Sequence, residues 1–250
     1  MKRFRRLLVL AAALSLFAIP AGAASADDVV AQARRYIGKD RDIDAVRTLH
    51  YRGRIEISGA NKETGTFEMF LEKPNQQKTV QVIGDRCTIV GLDDTVAWNR
   101  VESVSKPALS RTGIMDIPQM RLMRASSIEN LCFFRGTAKE GIRVEHRGET
   151  TSDGRACVRL AFVHPDGIVF VRTFDSATGR ILHTEGPGGG LIREEGEQTV
   201  AGLRFPQRLV STSKADDGSE STITIFFDEI KVNEAFPADT FSVPLPGVKR

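Results

Sequence analysis

Cysteine and tryptophan are scarce in this chain of 250 residues, which has three of the first and one of the second. An odd set of cysteines closes at most one bridge, so a disulfide-stapled scaffold is excluded and stability must come from an apolar core. Cys87, Cys132 and Cys157 are open to three readings: small core residues, one disulfide among them, or a reactive or metal-binding thiol without supporting CxxC or Cys-His spacing. No long apolar run follows Ile19, which leaves no internal segment able to span a bilayer. The chain also lacks a GxSxG elbow, an HExxH pair, an SxxK motif and a DxDxDG calcium loop. The four histidines, His50, His146, His164 and His183, are scattered one to a strand or turn. A secreted hydrolase with a site assembled from distant positions stays as a third reading, but the expectation is a protein that is not an enzyme and needs no cofactor or metal.

The N-terminus carries the strongest local signal. Basic Met1-Lys2-Arg3-Phe4-Arg5-Arg6 leads into an apolar run from Leu7 to Ile19, followed by Ala21-Gly22-Ala23 and Ala24-Ser25-Ala26 and then by Asp27-Asp28. This order reads as a secretory leader over residues 1–26, with a single domain over 27–250. The expected location is the periplasm, as a soluble protein without lipid attachment through a leading cysteine. Removing the leader takes four of the 35 basic residues and no acidic one, leaving 31 against 32. The basic balance of the whole chain therefore belongs to the leader, and a nucleic-acid partner loses its electrostatic support.

The rest of the chain alternates. Leu49, Tyr51, Gly53, Ile55 and Ile57 fall on one face of a strand, and similar short segments follow at Thr66–Glu72, Lys78–Ile83, Cys87–Leu92 and Thr95–Val101. Turns such as Gly84-Asp85 and Asp93-Asp94 separate them too closely for crossover helices, so the pattern predicts an up-and-down antiparallel meander. The rhythm resumes from Ile142, and Leu191–Val200, Arg204–Thr212 and Ser221–Val232 read as its last strands. Before the first strand, residues 27–36 read as a short helix. Between the two strand series Ile117, Met120, Met123, Ser127, Leu131 and Phe134 recur at helical spacing, predicting an amphipathic helical insertion over about 105–135. About eleven strands are too many for a flat sheet. The expected fold class is mainly β (α+β): a strongly curved antiparallel sheet forming an incomplete barrel, with an N-terminal helix and a central helical lid.

A curved sheet can hold a ligand under such a lid. Phe67, Met69, Leu71, Val169 and Val171 are candidates for the wall, and Met115, Met120 and Met123 for an adaptable roof, methionine being unbranched and polarisable. Trp98 fits either the cavity or ordinary packing. A filled core is the competing account of all of them.

Several segments resemble one family. Tyr51-Arg52-Gly53-Arg54-Ile55-Glu56-Ile57, Phe67-Glu68-Met69-Phe70-Leu71-Glu72-Lys73-Pro74-Asn75 and Val90-Gly91-Leu92-Asp93-Asp94-Thr95-Val96-Ala97-Trp98 are similar to strands of the periplasmic outer-membrane lipoprotein carriers and receptors, the LolA/LolB type. Phe227-Asp228-Glu229-Ile230-Lys231-Val232-Asn233 with Phe236-Pro237-Ala238-Asp239-Thr240-Phe241-Ser242-Val243-Pro244 matches its C-terminal end. The resemblance implies a half-barrel around a hydrophobic cavity for the acyl chains of a lipoprotein or lipid, in a monomer working between an inner-membrane transporter and an outer-membrane receptor. An envelope-stress sensor of the same fold is the alternative. The hairpins within Lys139–Glu197, with Gly188-Gly189-Gly190, and the three cysteines depart from the family pattern.

Overall fold

The computed structural model describes residues 24–59, 62–214 and 220–244. The segment read from the sequence as a leader lies, up to residue 23, outside the described residues. The first helix, α1 (Ala26–Ile37), begins inside the segment read as leader: Ser25 is its N-cap, its hydroxyl accepting from the Asp28 backbone N–H while the Asp28 carboxylate accepts from the Ser25 N–H. A five-residue helix, α2 (Asp40–Asp44), follows.

Five strands then run as the alternation predicts, β1 (Thr48–Ser58), β2 (Glu63–Glu72), β3 (Gln76–Ile83), β4 (Arg86–Asp93) and β5 (Val96–Ser103), and a sixth, β6 (Ser110–Ile114), follows inside the segment expected to be helical. The helix α3 (Ile117–Leu131) comes next, shorter than the expected insertion because residues 110–114 pair with β5. Asp116 and Gln119 form a reciprocal capping box at its start, with Pro118 in the first turn. A second series is formed by β7 (Arg143–Ser152), β8 (Arg155–Val163), β9 (Val169–Asp175), β10 (Ile181–Glu185), β11 (Leu191–Glu195), β14 (Arg208–Lys214) and β15 (Glu220–Val232). Between β11 and β14 lies a small separate hairpin of β12 (Gln198–Val200) and β13 (Leu203–Phe205). The two long strands expected here are each broken: Gly196 takes a left-handed φ of 68°, and Pro206 has no N–H to give to a ladder.

Thirteen strands make one open antiparallel sheet in the order β6-β5-β4-β3-β2-β1-β15-β14-β11-β10-β9-β8-β7. Neighbouring strands are consecutive among the strands of this sheet except at one seam, where β1 pairs with β15 and joins the two meanders. The two edges, β6 and β7, are consecutive in the chain. The segment between them, α3 and the loop after it, must therefore carry the chain from one edge to the other, which places it over the sheet's inner face.

At the seam Asp228 is an extra residue on β15, and the register shifts between Arg52 and Gly53. Gly53 lies opposite both Phe67 and Phe227, whose ring centroids are 6.2 Å apart across it. A Cβ at this position would stand 1.7 Å from the carbonyl oxygen of Phe226, a backbone atom that cannot step aside.

The core is divided. One cluster joins Val29 and Ala33 of α1 and Ile128 of α3 to Leu160, Phe162 and Phe174 of β8 and β9. The other joins Ile43 and Val46 to Leu49, Leu71, Leu131 and Leu203. Helix α3 is not amphipathic as expected: Ser127 and Glu129 are buried, while Ile117 and Leu122 are exposed.

Gly53→Ala is expected to lower unfolding stability by about 1–3 kcal/mol through forced displacement of the seam strands. Equilibrium urea denaturation measures this, and an unchanged midpoint contradicts the role given to the seam.

Candidate functional site

Between the two core clusters lies a cavity of about 390 Å³. Strands β1, β2, β15, β14, β11 and β10 supply its floor: Tyr51, then Phe67, Met69 and Leu71, then Ile225, Leu209, Ile192 and Ile181. Its roof is the end of α3 and the residues just beyond, Glu129, Asn130, Phe133 and Phe134. Phe133 and Phe134 take consecutive left-handed φ values, 45° and 63°. Each such non-glycine residue costs on the order of 1 kcal/mol or more and persists only when its surroundings hold it. Here the Arg34 guanidinium donates to the Phe133 carbonyl at 3.1 Å, and the Phe134 ring packs against Phe162 and Phe174.

A buried charge cluster fixes the same roof to the sheet. The Glu129 carboxylate on α3 meets His164 Nε2 at 2.8 Å and Arg172 Nη1 of β9 at 2.6 Å. All three side chains are less than a tenth exposed, so removing one partner strands the others in a low-dielectric interior. The Arg172 guanidinium also stacks over the rings of Phe134 and Phe162, 4.9 and 5.1 Å from their centroids.

The cavity has a polar end. Arg204 pairs with Glu197 at 3.2 Å, and the Tyr36 hydroxyl bonds to the same carboxylate. Arg180 donates to the backbone carbonyls of Glu194 and Gly196 at 3.2 and 2.9 Å. The Glu194 side chain has no hydrogen bond or ion pair among the described residues, and it borders the cavity. Burial pushes its carboxyl up to about 7, although Arg172 and Arg180 pull the other way. Burial likewise raises the Tyr51 hydroxyl.

Three of the residues expected from the sequence, Phe67, Met69 and Leu71, meet in this wall. The others do not. Val169 and Val171 alternate with Arg172, so they point to the outer face; β9 is apolar on both faces, and hydrophobicity alone picked the wrong parity. Met115, Met120 and Met123 are not part of the lining, because the roof is built from the other end of α3. Trp98 is buried on the outer face. Its Nε1–H donates to the Phe241 carbonyl at 2.8 Å, its ring sits above Gly91, and the C-terminal strap that covers it packs Phe236 edge-to-face against Phe70 and His50. The three cysteines are free: Cys87 on β4 and Cys157 on β8 lie nine strands apart, and Cys132 follows α3. Burial pushes the Cys132 thiol up to about 11, which keeps it from being a reactive thiolate. Among the described residues no group of acidic, cysteine and histidine side chains is arranged to hold a metal. Sequence reasoning missed Glu129, Arg172 and Glu194; a lone charge inside an otherwise apolar strand, as in Val-Phe-Val-Arg-Thr-Phe, was the available signal.

No protein-family model and no curated protein matches the sequence. Solved structures do share the fold. A LolA superfamily protein from Nitrosomonas europaea superposes with a TM-score of 0.57 at 14% identity, over 88% of this chain and 98% of that one. The domain of a putative outer membrane lipoprotein-sorting protein from Vibrio parahaemolyticus gives 0.55 at 11% identity, over 87% and 97%. A DUF1329 family protein from Desulfovibrio piger gives 0.55 at 14%, over 86% and 96%. The chain has the LolA-like fold: mainly β, with a large antiparallel sheet left open as a half-barrel.

The raised carboxyl of Glu194 makes a signed prediction. The native state holds that proton up to about pH 7 while the unfolded chain loses it near the ordinary 4.5, so the native state binds more protons in between and stability falls as pH rises through this window. The urea midpoint of Glu194→Gln should lack that part of the decline between about pH 5 and 8. Parallel pH profiles for parent and variant would overturn the assignment.

Proposed function

We propose that this protein is a periplasmic carrier that binds an acyl chain of a lipid or lipoprotein in the cavity between its curved sheet and the roof at Glu129–Phe134. The observation that carries this reading is the apolar space itself, which separates two core clusters that close packing would otherwise merge. An apolar chain exposed to water costs about 25 cal/mol per Å², so a carrier across an aqueous compartment must hide its cargo. A volume of about 390 Å³ lies at the lower end of roughly 300–1,000 Å³ for ligand pockets, which suits one chain better than a bundle. Arg180 and Glu194 at the polar end offer donors and an acceptor to the polar group from which the chain hangs.

The shared fold supports the reading, since structures with the same architecture include a LolA superfamily protein and a putative outer membrane lipoprotein-sorting protein domain. The leader in residues 1–26 supports export. Among the described residues no helix is long and apolar enough to cross a membrane. Transfer from an inner-membrane transporter to an outer-membrane receptor is the route this reading implies. The work requires no bond to be made or broken in the cargo.

Native mass spectrometry of the protein recovered from its own periplasm should show a mass increment that organic extraction releases as acylated material. In parallel, a fluorescent fatty acid should bind the delipidated protein, and Ile192→Trp, which fills the floor, should weaken it about ten-fold or more, equivalent to about 1.4 kcal/mol. Empty protein that ignores both the fatty acid and an added lipoprotein defeats the carrier reading.

A further inference from the structure

Eight large apolar side chains are exposed among the described residues, and five of them, Val104, Leu109, Ile114, Ile117 and Leu122, fall within residues 104–122. This stretch is the loop after β5, the edge strand β6 and the first half of α3. Leu109, Ile114 and Ile117 are 66%, 65% and 62% exposed. Five residues of extended chain set Leu109 and Ile114 about 17 Å apart along the edge of the sheet. A monomeric protein seldom gathers such side chains in one place without something to cover them.

Charge says what covers them. Arg86, Lys106, Arg111 and Arg124 are exposed around the same edge, and none makes an ion pair among the described residues. Several exposed arginines elsewhere are held by carboxylates, as Arg52 is by Glu68, Arg193 by Asp153 and Arg208 by Glu195, whereas Arg35 and Arg47 are, like those at the edge, exposed without an ion pair among the described residues. The acids near the edge are mostly engaged. Asp85 accepts from the Ser103 hydroxyl and the Ser105 N–H, Glu102 pairs with Arg100, Asp116 caps α3, and Asp166 faces Arg121 at 3.5 Å. Glu63, at the open groove below Leu109 and Arg111, is the exception.

We propose that this edge docks the protein on a bilayer surface that carries anionic headgroups, with Leu109, Ile114 and Ile117 entering the headgroup layer and Lys106, Arg111 and Arg124 on the phosphates. Separated apolar anchors among unpaired cations are the pattern of interfacial binding. A partner peptide adding a strand is the poorer fit: β6 offers only five ladder residues including Gly113, and Leu109 and Ile117 lie beyond its two ends. The inference stands apart from the occupancy of the cavity, and an empty cavity would leave it intact.

Flotation of the purified protein with vesicles tests it. Phosphatidylcholine vesicles containing phosphatidylglycerol should carry the protein to the top of a density gradient, vesicles of phosphatidylcholine alone should carry much less, and added salt should release it. Lys106→Glu with Arg111→Glu should weaken binding about ten-fold or more, since each surface cation acts separately on the anionic layer. Leu109→Ser with Ile117→Ser should reduce it at unchanged charge. All four side chains are exposed, so circular dichroism and the thermal midpoint should match the parent, which makes any loss attributable to the surface. No flotation on the anionic vesicles, or equal flotation of parent and both variants, overturns the proposal. So does concentration-dependent dimerisation in sedimentation velocity that the Leu109→Ser, Ile117→Ser variant abolishes, because a second copy would then be what covers the edge.

Discussion

The ladder between β1 and β15 is the constraint on which the rest of the molecule depends. Each meander is internally consecutive, but only this pairing makes them one sheet, and it places the first and second halves of the chain on either side of a common floor. Because β6 and β7 become the two outer edges, the chain between them has to return over the inner face. The helix that does so meets the sheet at both clusters and leaves space between them. The cavity is a consequence of connectivity before it is a property of any side chain. Gly53, with no side chain where Phe67 and Phe227 approach, lets the seam bend without filling that space.

Polar groups inside such a space are costly unless they answer one another. Glu129 does this for both His164 and Arg172, and the cluster ties the end of α3 to the second meander. Two phenylalanines in unfavourable backbone geometry are held over the cavity by arginines, Arg34 donating to the Phe133 carbonyl and Arg172 lying over the Phe134 ring. Glu194 is the group left without a partner, and a polar group of a cargo is the natural complement to it. A roof held by a few buried charges at one end, and exposed and apolar at the other, separates the task of enclosing a chain from the task of meeting a surface.

Much of this was legible in residue order. The alternation in β1 and β2 puts Phe67, Met69 and Leu71 on one face, since the opposite face of each of those two strands is mostly polar. It failed in β9, where valines and phenylalanines occupy opposite faces and no polar alternation marks the solvent side. Methionine content pointed at the wrong end of α3, because helical spacing is common to a helix's whole length while its cavity-lining residues come from its C-terminal turn alone. For Trp98 the sequence leaves cavity and ordinary packing both open, because the strap that buries it on the outer face, reaching Phe241, is distant in sequence from the strand it covers.

From its residues alone the chain determined its leader-like start, the sites of its turns, the two-residue period of its strands and the capped start of its central helix. These are local matters of propensity and solvation, decided within a few positions. The tertiary structure decided which strands became edges, which face of β9 turned inward, which charges met in the interior, and that the two cores would not fuse. Those outcomes hinge on a pairing between residues 164 to 183 positions apart in β1 and β15, and no local pattern encodes the partner of a strand.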